Sequence, residues 1–248
     1  MAGGDSRGSP SPLNLAVYCA DVGSVSAKNF GWAGPPTKGP QRTGADIAEL
    51  VRGVSSELGL GTKVALGFEC PLFVPLRRDP SELTKARVGE PQAWAAAAGA
   101  TSLATGLVQT AWVLGRILKA VPVPPPLFLS WTRFEEAPSG LLLWEAFVTG
   151  KAKTGSHEGD AAVAVDAFME SLPDPPSRSI VREPEVFSLV AAAAFSVGWP
   201  VARPLINEPC IVLSADPTPP ANAIAGSTGV IPSSRDGSRH RQPPITEP

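Results

Sequence analysis

The chain is short of charge. Only 18 % of its 248 residues are Asp, Glu, Lys or Arg, and they sum to a net charge of −2. Such a chain has no strong positive field to gather nucleic acid unspecifically, although a local basic patch is compatible with the balance. Aromatic residues are also scarce, 6 % with a single Tyr, which argues against a stacking platform for single strands. Cysteine is limited to Cys19, Cys70 and Cys210, with no CxxC pair, and both histidines, His157 and His240, lie far from any Cys in sequence. That pattern supports neither a disulfide framework nor a zinc knuckle. It reads as three buried free thiols in a cytoplasmic protein, without disulfide partners. Residues 1–12 lack the apolar core of a signal peptide. The uncharged run Pro91 to Gly115 is long enough for a bilayer. It is mostly Ala, Gly, Ser, Thr and Gln, with no Lys/Arg cluster at either end, so a buried helix is expected and no membrane partner.

Gly and Pro are plentiful: 24 and 28, about a fifth of the chain. That falls short of the quarter to a third, roughly, of an aperiodic disordered polymer, and 43 % of the residues are hydrophobic, enough for a core. The excess gathers at the ends. Residues 1–12 and 216–248, the latter with seven Pro, hold few large apolar side chains and are expected to be disordered tails. Residues 13–215 then form one domain, with an irregular insertion over about 72–98.

Within the domain, strands and helices alternate. Leu15 to Asp21 reads as a strand buried on both faces and ending in an acid, followed by a turn and a short returning strand, Lys28 to Ala33. Gly34 to Gly44 reads as a Pro/Gly loop with no third strand. Ile47, Leu50, Val51, Val54 and Leu58 mark one face of a helix, with Thr43 as its expected N-cap and Asp46 reinforcing the first turn. Lys63 to Glu69 is a second strand ending in an acid. Further expected elements are a helix over about 99–119, strands at Leu127 to Trp131 and Leu141 to Glu145, helices at Asp160 to Ser171 and Glu185 to Val197, and a strand at Cys210 to Ser214. The order points to an α/β three-layer sandwich on a mixed central sheet that opens with a β-hairpin.

Three of these strands end in or beside a carboxylate: Asp21, Glu69 and Glu145. Ligands of open α/β sheets bind outside the carboxyl ends of the strands. Acids on adjacent strand ends would repel by about 4 kcal/mol at ~4 Å and an effective dielectric of about 20, so they must share protons or hold a divalent cation. Asp160 joins them from the following helix, where a first-turn acid also complements the helix dipole. Four oxygen donors without Cys or His favour Mg2+ or Mn2+ over zinc. Basic side chains that can grip a phosphate backbone are Arg77, Arg78, Lys85 and Arg87 in the insertion, and Lys151 and Lys153.

The run Ala20-Asp21-Val22-Gly23-Ser24, followed by Asn29-Phe30-Gly31-Trp32-Ala33, resembles the first hairpin of ribonuclease H-like domains, notably Holliday-junction resolvases and related predicted nucleases. Glu69-Cys70-Pro71-Leu72, Leu143-Trp144-Glu145-Ala146-Phe147 and His157-Glu158-Gly159-Asp160-Ala161-Ala162 resemble the acid-bearing strand ends and helix of the family called domain of unknown function 429. The resemblance implies a ribonuclease H-like fold and a Mg2+- or Mn2+-dependent hydrolase, a nuclease with nucleic acid as substrate. It implies Asp21, Glu69, Glu145 and Asp160 as catalytic metal ligands. The Asp21-Val22-Gly23-Ser24 turn also resembles the phosphate-holding hairpin of sugar kinases and actin-like ATPases, which marks Gly23 and Ser24 as candidate cofactor-binding residues. Those enzymes need two lobes, and about 200 ordered residues supply one. No Gly-Lys-Ser/Thr follows Gly23, so the turn is not a P-loop. Two other functions fit the same acidic cleft: a catalytically silent ribonuclease H-like binding module, or a small-molecule or nucleotide binder.

Overall fold

The computed structural model describes residues 14–36, 39–90, 92–201 and 203–216; the expected tails fall outside them apart from residue 216. In chain order the principal elements are β1 (Leu15–Asp21), β2 (Gly31–Gly34), β3 (Arg42–Gly44), α1 (Ile47–Gly59), β4 (Lys63–Phe68) and β5 (Phe73–Pro75). They continue as α2 (Ala97–Ala120), β6 (Leu127–Phe128), α3 (Trp131–Glu136), β7 (Gly140–Phe147), α4 (His157–Ser171), β8 (Val186–Ser188), α5 (Leu189–Ser196) and β9 (Val212–Ser214). The main sheet runs β3-β2-β1-β4-β7-β6, with β9 also beside β7. β2 is antiparallel to β1 and β3, whereas β4, β7, β6 and β9 run parallel to β1. The protein is therefore α/β, with a mixed central sheet flanked by helices.

Alternation along the strands sorts the core into two layers. Tyr18 and Ala20 of β1, Val64, Leu66 and Phe68 of β4, and Leu141 and Leu143 of β7 face α1, α2 and α5. Val17 and Cys19, Ala65, and Leu142 and Trp144 face α3 and α4. All three cysteines are free and buried, and no helix of the described residues is long and apolar enough to cross a membrane.

Four expectations are corrected, each where local signals compete. Arg42, Thr43 and Gly44 form β3 on Gly34, Ala33 and Trp32, because three rungs at a sheet edge are too few for alternation to show. Thr43 is thus in a strand, and Asp46 caps α1 by accepting from the Ala48 N–H at 2.7 Å. The strand at Leu127 is only two residues long, because Ser130 caps α3 by accepting from the Arg133 N–H at 3.5 Å. Residues 186–188, expected as helix, are β8, paired with β5 in a second small sheet; α5 starts where Ser188 accepts from the Ala191 N–H.

The segment 72–98 is anchored to the body. Arg77 makes a two-pronged ion pair with the buried Glu183, at 2.8 and 2.7 Å. Arg87 is fully buried, reaches Glu145 at 2.5 and 2.9 Å and Glu90 at 2.8 Å, and lies over the Phe73 ring. Two of the four insertion cations are thus consumed inside the fold. Arg78 and Lys85 stay exposed, beside Glu185 and Glu82.

Candidate metal centre

Register and parity place the first two acids together. Ala20 of β1 is opposite Phe68 of β4, and the Glu69 N–H donates to the Ala20 carbonyl at 2.8 Å, so Asp21 and Glu69 leave the sheet side by side. Each lies one residue past a side chain of the α1–α2 layer, and so both turn to the α4 face. α4 brings the third. Ser156 caps it by accepting from the Gly159 N–H at 3.1 Å, and Asp160 follows in its first turn, 4 % exposed. A carboxylate oxygen from each of Asp21, Glu69 and Asp160 lies within 4.8 Å of the others, and such a group can hold a metal ion.

Gly31 allows that approach. It pairs with Asp21 across β1–β2, and a Cβ there would come within 2.2 Å of the His157 backbone. With no side chain in the way, α4 seats its first residue against β2, and His157 Nδ1 meets Asp21 Oδ2 at 2.6 Å. Gly31→Ala is expected to push α4 away and cost about 1–3 kcal/mol by overpacking. Denaturant unfolding measures that loss, and unchanged stability would show that the contact does not set the position of α4.

A lysine completes the arrangement. Lys153 Nζ reaches Glu69 Oε1 at 2.7 Å and Asp160 Oδ2 at 2.9 Å. Burial works against its ammonium, but the two carboxylates outweigh that and hold it protonated well above the ordinary lysine range. Burial would likewise raise Asp160. Its bonds from the Thr154 N–H and hydroxyl and from Lys153 prevail and hold it below the usual carboxylate range. Asp21 is raised by burial, an effect that Lys153 and His157 only partly offset. Burial and the neighbouring Asp21 charge push Glu69 up to about 8, against the opposing pull of Lys153. Asp21 and Glu69 thus form a carboxyl pair in which burial and mutual repulsion favour retaining a proton.

The expected ligand set divides three and one. Glu145 is opposite Phe68 in the β4–β7 register, so it shares Phe68's side of the sheet and faces away from α4. There it is 1 % exposed, held by Arg87, and accepts from the Leu72 N–H at 2.9 Å. Gly23 and Ser24 serve the turn itself. A Cβ at Gly23 would overlap the Asn29 carbonyl, and the Gly23 carbonyl accepts from Gln109. Ser24 Oγ accepts from the Ala27 N–H at 3.2 Å and lies 3.1 Å from the Ser26 hydroxyl. For two further site residues, sequence reasoning missed the contact with the acids. His157 is three residues before Asp160, the helical spacing that puts both on one face, so its signal was present. Lys153 lies in a loop with no periodicity, and only the fold brings it to Glu69. The chain matches no family model, and no curated protein or solved structure matches it.

Proposed function

We propose that the protein is a divalent-metal-dependent phosphodiesterase of ribonuclease H-like fold that acts on nucleic acid. The observation that carries this is the convergence of Asp21, Glu69 and Asp160 at the carboxyl ends of β1 and β4. The antiparallel run β1-β2-β3, continued on the other side of β1 by parallel β4 and β7, supports the fold that the hairpin resemblance implied.

The donor set suits Mg2+ or Mn2+. Its ligand atoms are hard carboxylate oxygens, and burial keeps the neighbouring Cys19 and Cys70 thiols protonated. Glu69 Oε2 is a buried oxygen that no donor reaches among the described residues, as a metal ligand would be. A divalent ion there would polarise the phosphodiester and acidify the attacking water. Asp21 and Glu69 would be its principal ligands. His157 orients Asp21, and Thr154 fixes Asp160 at 2.7 and 2.9 Å. The test is cleavage of DNA, RNA and hybrid duplexes in Mg2+ or Mn2+. Cleavage abolished by a chelator is expected; no cleavage of any of the three, with either ion, would contradict it. One observation favours a silent binding module instead: Lys153 and His157 already engage all three acids.

Glu69 gives the site a pH signature. Its ordinary value is 4.5, against about 8 in the fold. Between these values the folded chain binds a proton that the unfolded chain has lost, so this group's stabilisation without metal fades as pH rises through that window. Metal binding must expel the same proton. Affinity is expected to climb with pH, by at most about tenfold per unit, and to level off above about 8. Mn2+ titrations across that range measure it, with Glu69→Gln as the control lacking this proton. An affinity unchanged between pH ~6 and ~8 would contradict the assignment.

A further inference from the structure

We propose that Lys153 is the built-in second cation of this centre, so that the site takes one divalent ion, on its Asp21–Glu69 side, and the lysine ammonium stands where a two-metal site would hold the other. This rests on the metal-site reading above and narrows it.

The acid oxygens divide accordingly. Both oxygens of Asp160 are engaged: Oδ1 accepts from the Thr154 N–H and hydroxyl, and Oδ2 faces Lys153. Glu69 is shared, with Oε1 on the ammonium and Oε2 buried without a donor. His157 holds Asp21 Oδ2. Asp21 Oδ1 and Glu69 Oε2 are therefore the oxygens that neither the lysine nor the histidine holds, and they belong to adjacent strand ends. Lys153 instead bridges Glu69 Oε1 and Oδ2 of Asp160, the acid a second ion would need.

Charge points the same way. With all three acids ionised, three carboxylates and one ammonium leave −2, the complement of a single divalent ion. Two such ions beside Lys153 would leave an excess of +2 in a half-buried site, which is costly. Lys153 caps the end of a single 3-10 turn, Gly150–Ala152, which opens on Gly150 at φ 57°, and its side chain keeps 43 % of its surface exposed. One end of the lysine thus neutralises the acids while its flank faces solvent, where a phosphate would approach.

The experiment is calorimetric titration of Mn2+ into the full chain at pH ~8, with wild type, Lys153→Met, Lys153→Arg and Asp21→Asn compared. Wild type and Lys153→Arg are expected to bind one ion, Lys153→Met two, and Asp21→Asn to lose at least tenfold in affinity. Two ions in wild type, or one in Lys153→Met, would overturn the role of Lys153 while leaving the metal site standing. No binding in wild type would sink both. If Lys153→Met fails to fold, the wild-type stoichiometry and Lys153→Arg decide the matter.

Discussion

Glu145→Ala is expected to lower the unfolding free energy by about 3–5 kcal/mol, the usual cost of removing one partner from a buried ion pair. Arg87, Glu145 and Glu90 have side chains 0 %, 1 % and 2 % exposed, so water cannot replace what the mutation removes. Arg87 would keep only Glu90 as a charged partner, and the Leu72 N–H would lose its acceptor. For a domain of about 200 residues the loss corresponds to roughly 6–20 °C in melting temperature. Pairing Arg87→Met with Glu145→Leu should recover most of it, since the apolar replacement leaves no orphaned charge. Denaturant unfolding of the three variants decides. A loss under ~1 kcal/mol for Glu145→Ala would show that Arg87 finds another partner or water. Metal binding should be unchanged, because Glu145 is on the opposite face of the sheet from Asp21.

Asp21→Asn is expected to cut metal-dependent cleavage by about 100-fold or more, roughly 3 kcal/mol of transition-state stabilisation. The amide keeps the size of the carboxylate but gives up its charge, so a bound metal would lose its link to β1. Stability should hold or rise, since burial disfavours the Asp21 charge and the substitution removes it. On the proposed function that contrast would separate the two acids, Glu145 serving the fold and Asp21 the chemistry. Full cleavage by Asp21→Asn would remove Asp21 from the site.

Much of this was legible in the sequence, and parity accounts for the main error. The apolar runs of β1, β4 and β7 and the periodic face of α1 identify the layers. Asp21, Glu69 and Asp160 were found as acids at strand ends and in the next helix. Glu145 ends an equivalent run, but it turns to the other face because register pairs it with Phe68 rather than Glu69. A sequence does not display that register. Arg87 and Arg77 read as cations free to grip phosphate because their partners, Glu145 and Glu183, are 58 and 106 residues away. The pairing of Lys153 was hidden for the same reason: its partner Glu69 lies 84 residues earlier.

The most direct test of the central claim is the melting temperature of the full chain against Mg2+ and Mn2+ concentration. Binding to the folded state alone stabilises by about 2.7 kcal/mol at one hundred times Kd, so a saturable rise in melting temperature is expected, absent in Asp21→Asn. No shift with either ion at ~10 mM would contradict a metal centre at Asp21, Glu69 and Asp160.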